Sequence, residues 1–170
     1  MKEIKLRKSD RVALVDDEDY EFLSRFRWYC THEKNCYYAV SFSRIDGYPV
    51  PLRMHRLLLR ASVGTMVDHI DCNGLNNQRS NLRLATHAQN SRNRRPNKGR
   101  QYKGVRKTRN NTYEAVISHN GRRIYLGTFN NSHDAATAYN NAAVKYFGRF
   151  AKINLIERLP IYYKLMALSK

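Results

Sequence analysis

Cysteine is scarce in this chain: Cys30, Cys36 and Cys72 are all it has among 170 residues. An odd count without a C-x-x-C pair excludes a disulfide framework and a zinc knuckle, and it implies a reducing, intracellular, cytoplasmic setting. Long apolar runs are missing as well. With no 18-residue apolar stretch, no signal-peptide core and no long basic amphipathic helix, no membrane is expected as a partner. Acid is the third shortage. Asp and Glu number 14 against 31 Lys and Arg, a formal net charge of +17. Such an excess calls for a polyanion, and nucleic acid is the simplest one left.

The acids that are present crowd together. Six of the 14 fall between Asp10 and Glu21, and none occurs from Cys72 to Tyr113, a window that carries eleven Lys and Arg. Inside it Arg92, Arg94, Arg95, Lys98 and Arg100 surround Pro96 and Gly99 in Asn-rich sequence without apolar periodicity. This reads as a basic linker over 95–101 that tracks phosphates. It separates residues 1–94 from a second module at 102–156, followed by a C-terminal tail at 157–170. The chain length suits small modules of this kind.

The fold class expected is α+β. The N-terminal 1–66 are β-rich, with strand-like runs at 12–15, 28–31, 37–42 and 50–58 and a turn signal at Asp46-Gly47. Residues 104–107, 113–118 and 123–129 read as a three-stranded antiparallel sheet, with Asn120-Gly121 as the hairpin turn. A helix capped by Ser132 follows, its apolar face running from Ala135 through Ala143 to Phe147 before Gly148 stops it.

Residues 67–94 hold the densest chemistry and read as strand, loop, strand, helix. Thr86 with Gln89 three residues later forms a capping box, which places Asn90 in the first turns of the helix. Hydrolysis of a phosphodiester needs a divalent cation to offset charge on the phosphate and a base near neutral pKa to deprotonate water. Asp68 and Asn90 offer hard oxygen ligands for Mg²⁺ (or Mn²⁺), and His69 offers the base. Asn81 either fixes the loop or accepts the imidazole N–H. His55, in the run read as a strand, is structural or faces a phosphate. His87, on the helix, either assists at the phosphate or is simply exposed.

The sequence D-H-I-D-x-N-G-L-N-N-x-x-S-N-L-R-x-x-T-x-x-x-N over residues 66–93 resembles the HNH endonucleases. That resemblance implies a ββα-metal core at 67–94, His69 as general base, Asp68 and Asn90 as ligands of one metal, and Asn81 as the central motif asparagine. The terminal asparagine is similar to the phage and intron branch, which implies a homing-type enzyme, encoded by a phage or mobile element, that nicks or cleaves. Segments 13–20 and 54–57 resemble what precedes the motif in such nucleases. Residues 102–155, from Tyr102-Lys103-Gly104-Val105-Arg106 to Asn154-Leu155, resemble the AP2 DNA-binding domain, whose sheet enters the major groove. By that resemblance Lys103, Arg106, Arg123 and Tyr125 are DNA contacts, with Arg92, Arg94 and Arg95 nearby in sequence. Thr108, Asn110, Val116 and Ser118 stand where plant members carry further contacts, so the target sequence does not transfer.

Double-stranded DNA is thus the partner expected, with no obligate protein partner. Two other functions compete. One is a non-catalytic, sequence-specific DNA-binding regulator with a degenerate nuclease fold; the other is an RNA-binding protein, for which no aromatic-paired signature is present.

Overall fold

Lys2–Lys5 (β1) and the wholly apolar Val12–Val15 (β2) pair antiparallel, with Ile4 opposite Ala13 on the buried side. Asp16 precedes a helix, Asp17–Ser24 (α1), whose first turn carries Asp17, Glu18 and Asp19 against its positive end. Neither β1 nor α1 is among the elements expected above. The protein is described here from a computed structural model covering residues 1–33 and 35–156, so the expected tail at 157–170 lies outside the described residues. The chain divides into two compact units, Met1–Asn90 and Ser91–Lys170.

In the first unit Tyr29–Glu33 (β3), Cys36–Ile45 (β4) and Tyr48–Arg53 (β5) form a second antiparallel sheet in the order β3-β4-β5. The β4–β5 turn puts Asp46 and Gly47 at φ of 50° and 82°, the paired positive values that a tight hairpin demands. The run expected to be strand through residue 58 leaves the sheet at Arg53. Met54–Leu58 is a helix, α2, because Met54, His55 and Leu58 bury one helical face instead of alternating. Arg56 then holds the chain after α2, its guanidinium donating to the carbonyls of Ala61, Ser62 and Thr65.

Met66–His69 (β6) and Leu82–Ala85 (β7) form a two-stranded hairpin, followed by the helix His87–Arg92 (α3). The capping box is made in full. Gln89 N–H donates to Thr86 Oγ1 and Thr86 N–H donates to Gln89 Oε1, at 3.2 and 2.8 Å. The long loop between β6 and β7 is docked on two sides. Its main chain pairs with β2 through Leu14 N–H to Leu75 O and Asn77 N–H to Leu14 O. Arg79 clamps both carboxylate oxygens of buried Asp19 on α1 at 2.7 and 2.8 Å, while its own N–H donates to Asp16 Oδ2. Ile4, Val15, Leu23, Trp28, Met54, Leu75 and Leu82 complete one core beneath these elements. The Trp28 indole N–H is satisfied by Leu23 O at 2.8 Å.

The second unit has the expected pieces. Val105–Lys107 (β8), Tyr113–His119 (β9) and Arg122–Phe129 (β10) form an antiparallel sheet in the order β10-β9-β8, and Ser132–Phe147 (α4) packs on one face. Alanines 135, 136, 142 and 143 keep the helix surface low, so Ala115 and Ile117 of the sheet meet it closely. The helix cap is Asn131, whose side chain accepts Asp134 N–H at 2.9 Å; Ser132, expected as the cap, is the first helical residue. Asn154 stitches the end of this unit to its beginning. Its side chain bonds both the N–H and C=O of Lys103, and its main chain is held by buried Asn140. Among the described residues the architecture is therefore mixed α and β, with four small antiparallel sheets and a few helices.

Candidate active site

The β6–β7 register sets Asp68 opposite Arg83 and His69 opposite Leu82. Successive residues leave a strand on opposite sides, so the two candidate groups diverge from one stretch of backbone. Asp68 is 4 % exposed, and Arg83 donates from Nε and Nη2 to its Oδ2 at 2.8 and 2.6 Å. A carboxylate this deep needs such a partner to remain charged. Arg83 is not among the residues expected from the sequence, although a cross-strand acid-base pair flanking a motif is a readable signal.

His69 is 6 % exposed and sits among side chains far apart in sequence. Its ring meets the edge of His55 from α2 at 5.0 Å and 78°, and Tyr38 of β4 lies 6.0 Å from His69 and 5.6 Å from His55. His55 is thus on a helix, against the strand expected, and the structure brings it to His69. Burial pushes the His55 pKa down to about 3, helped by the charges of His69, Arg53 and Arg56. Burial also lowers His69, against the opposing pull of the Asn77 hydrogen bond and of Asp71 and Asp68. Both rings are neutral at neutral pH, and a neutral imidazole carries the lone pair a base requires.

Of the two roles left open for Asn81, the structure makes the first. Its Oδ1 accepts Asp71 N–H at 3.0 Å, and its Nδ2 donates to Asp71 Oδ1 and Asn76 O at 2.9 and 2.8 Å. The side chain closest in role to an imidazole acceptor is instead Asn77, whose Oδ1 lies 3.5 Å from His69 Nε2. Gly74 in the same loop has no room for a side chain, since a Cβ would come within 2.4 Å of Tyr37 O. Its N–H donates to the free thiol sulfur of Cys36 at 3.3 Å. Asn90 is half-buried on α3, its N–H bonded to Thr86 O, and His87 is exposed at the start of that helix.

No group of three His, Cys, Asp or Glu able to hold a metal occurs among the described residues. An all-protein cage is therefore not what these residues would build. One carboxylate and one side-chain amide are hard oxygen donors of the kind Mg²⁺ accepts while keeping most of its waters, so the donor chemistry fits.

In the second unit the contact residues expected on the sheet have unequal surroundings. Arg123 and Tyr125 are exposed on β10, the Tyr125 hydroxyl bonded to Thr128 Oγ1 at 2.6 Å. Arg106 is ion-paired across the sheet to Glu114 at 2.6 Å. The Lys103 ammonium turns to the carbonyls of Arg92 and Arg94, and the Arg92 guanidinium lies over the Phe147 ring at 4.9 Å. Arg94, Arg95, Arg100 and Lys103 line a shallow basic cavity of about 230 Å³.

The sequence profile of HNH endonucleases matches residues 53–92. An uncharacterized HNH endonuclease of Acanthamoeba polyphaga mimivirus is 33% identical over 156 residues, covering 85% of this chain and 75% of that protein. The chain belongs to the HNH endonuclease family. Nucleases of this family generally use a divalent metal. Plant proteins match a shorter part of this HNH family member. The dehydration-responsive element-binding protein 2D of Arabidopsis thaliana is 45% identical over 65 residues, 37% of this chain and 32% of its own length. The ethylene-responsive transcription factor 1 of Solanum lycopersicum is 38% identical over 67 residues, 38% of this chain and 28% of its own. No helix among the described residues is long and apolar enough to cross a membrane.

Proposed function

We propose that this chain is a DNA endonuclease of the homing type that hydrolyses phosphodiester bonds with one divalent ion, Mg²⁺ or Mn²⁺. Residues 1–94 form the nuclease domain around a ββα-metal motif at 67–94. Residues 95–101 are a basic linker, and 102–156 are an AP2-like module that reads duplex DNA.

The observation that carries the proposal is His69: a buried, neutral imidazole held on the same hairpin as a buried carboxylate. In this reading His69 takes a proton from the attacking water, whose oxygen bonds to phosphorus as the P–O bond to the leaving sugar oxygen breaks. Asp68, oriented by Arg83, and Asn90 would hold the cation, which offsets charge on the phosphate when bound. Asn81 keeps the loop between the strands in shape. His55 buttresses the base, and His87, being exposed, is free to meet a phosphate. Arg123 and Tyr125 present the recognition face; Arg106 reaches DNA by exchanging Glu114 for a phosphate. Lys103 and Arg92 act by shaping the chain entering the module, while Arg94 and Arg95 follow the DNA backbone.

Plasmid nicking with Mg²⁺ or Mn²⁺ tests this, comparing the native chain with His69→Ala. The native chain should cut and the variant should not, with duplex binding equal in both. Equal cutting removes His69 from the chemistry. Binding without cutting by the native chain would instead favour a non-catalytic DNA-binding regulator.

A further inference from the structure

The loop between β6 and β7 places one amide against the candidate base and gives it no room to do anything else. Asn77 has 0 % of its surface exposed, and its N–H is fixed to Leu14 O at 2.8 Å. Its Oδ1 faces His69 Nε2, while its Nδ2 is buried with no hydrogen-bond partner among the described residues. A side-chain amide held in the interior with half its bonding capacity unused is costly, and such groups are kept where they serve a function. The neighbouring asparagines do not share this pattern. Asn76 and Asn81 both spend their side chains on the loop itself.

We propose that Asn77 is a positioning residue for His69, accepting its Nε2–H and thereby assigning the imidazole lone pair to Nδ1. The physical reason is the tautomer choice of a neutral ring. Only one nitrogen carries hydrogen, and a fixed acceptor beside Nε2 selects the form in which that nitrogen is the donor. Turning the amide over would present Nδ2 to the ring and select the opposite form. His55 and Tyr38 pack on the ring and limit its tilt, but aromatic faces and edges do not decide which nitrogen is protonated. Asn77 does. The distance of 3.5 Å is long for a hydrogen bond, as catalytic contacts often are before substrate closes them.

This rests on His69 being the general base, while the hydrogen bond itself does not. The two are therefore read separately. Nitrogen-15 NMR of the histidine-labelled full chain at neutral pH, with His69 assigned by its loss in His69→Ala, should show Nε2 protonated and Nδ1 bare. A protonated Nδ1 in the native chain overturns the proposal whatever any variant does. Single-turnover nicking is then compared for Asn77→Asp, which keeps an acceptor, and Asn77→Leu, which has similar volume and none. Asn77→Leu should mix the tautomers and slow cutting by about 10-fold or more, with Asn77→Asp keeping the native tautomer and most of the rate. An unchanged tautomer or an unchanged rate in Asn77→Leu also overturns it. Full cutting by His69→Ala, by contrast, defeats the base assignment and leaves the NMR result standing.

Discussion

Acid should attack the first unit through His55. Its ring is buried and neutral, with a pKa near 3 against an ordinary value of 6.5. The folded state therefore binds fewer protons than the unfolded state between those values. Stability from the neutral ring is complete above about pH 6.5 and is lost as pH falls toward 3. Each pKa unit is ~1.4 kcal/mol, so the loss reaches ~2 kcal/mol by pH 5 and ~4–5 kcal/mol once the folded-state value is passed. His55 is 6 % exposed, so solvent relieves little of this. The assay is urea unfolding from pH 7.5 to 4.5, followed by the fluorescence of Trp28, the single tryptophan, which lies in the core of the first unit. His55→Gln should be less stable than the native chain at pH 7.5 and should close the gap by ~2 kcal/mol at pH 5. Titrating groups remote from His55 are common to both proteins and cancel in the difference. Parallel curves would refute the claim that burial sets this histidine.

Arg79→Met strands the buried Asp19 carboxylate and should cost roughly 2–4 kcal/mol in the same unfolding experiment, more than its exposed position suggests. Gly104→Ala should lower the melting temperature of the second unit, because at φ 74° a Cβ would lie 2.0 Å from the Tyr139 ring and 2.7 Å from Val116 O; calorimetry shows whether it does. Replacing Arg123 with alanine should flatten the log-log dependence of duplex affinity on salt by about 0.9, the loss of one neutralised phosphate. An unchanged slope means that this face does not meet DNA.

The second unit was legible in sequence because each of its elements is locally encoded. The Asn120-Gly121 turn, the alternation of β9 and β10 and the alanine face of α4 all state their structure within a few residues. The β6-loop-β7-α3 order was legible for the same reason, and the capping box fixed the start of α3. What sequence did not reveal is what depends on distant pairing. Met54–Leu58 continues an extended run and turns helical because its apolar residues find the core on one side. The helix α1 was not read from its three opening acids, and the purpose of Asp19 emerges only when Arg79 arrives from 60 residues away. His55, Tyr38 and Asn77 gather around His69 from α2, β4 and the loop, a grouping that no spacing in the chain announces. Arg83 is the exception: directly across the hairpin from Asp68, it was there to be read.

Each unit carries its own core: the first draws on residues 4 to 82 and the second on residues 102 to 156. Between them, residues 86–101 supply no buried apolar side chain to either core. A gene broken there and rejoined to another would pass on either half with its interior whole, so the cutting half and the second half are free to have separate ancestries. That suits a chain that matches a viral protein along most of its length and plant proteins over only 65 or so residues. For the engineer, the exposed residues 97–101 offer a place to graft a different second unit without redesigning a buried side chain.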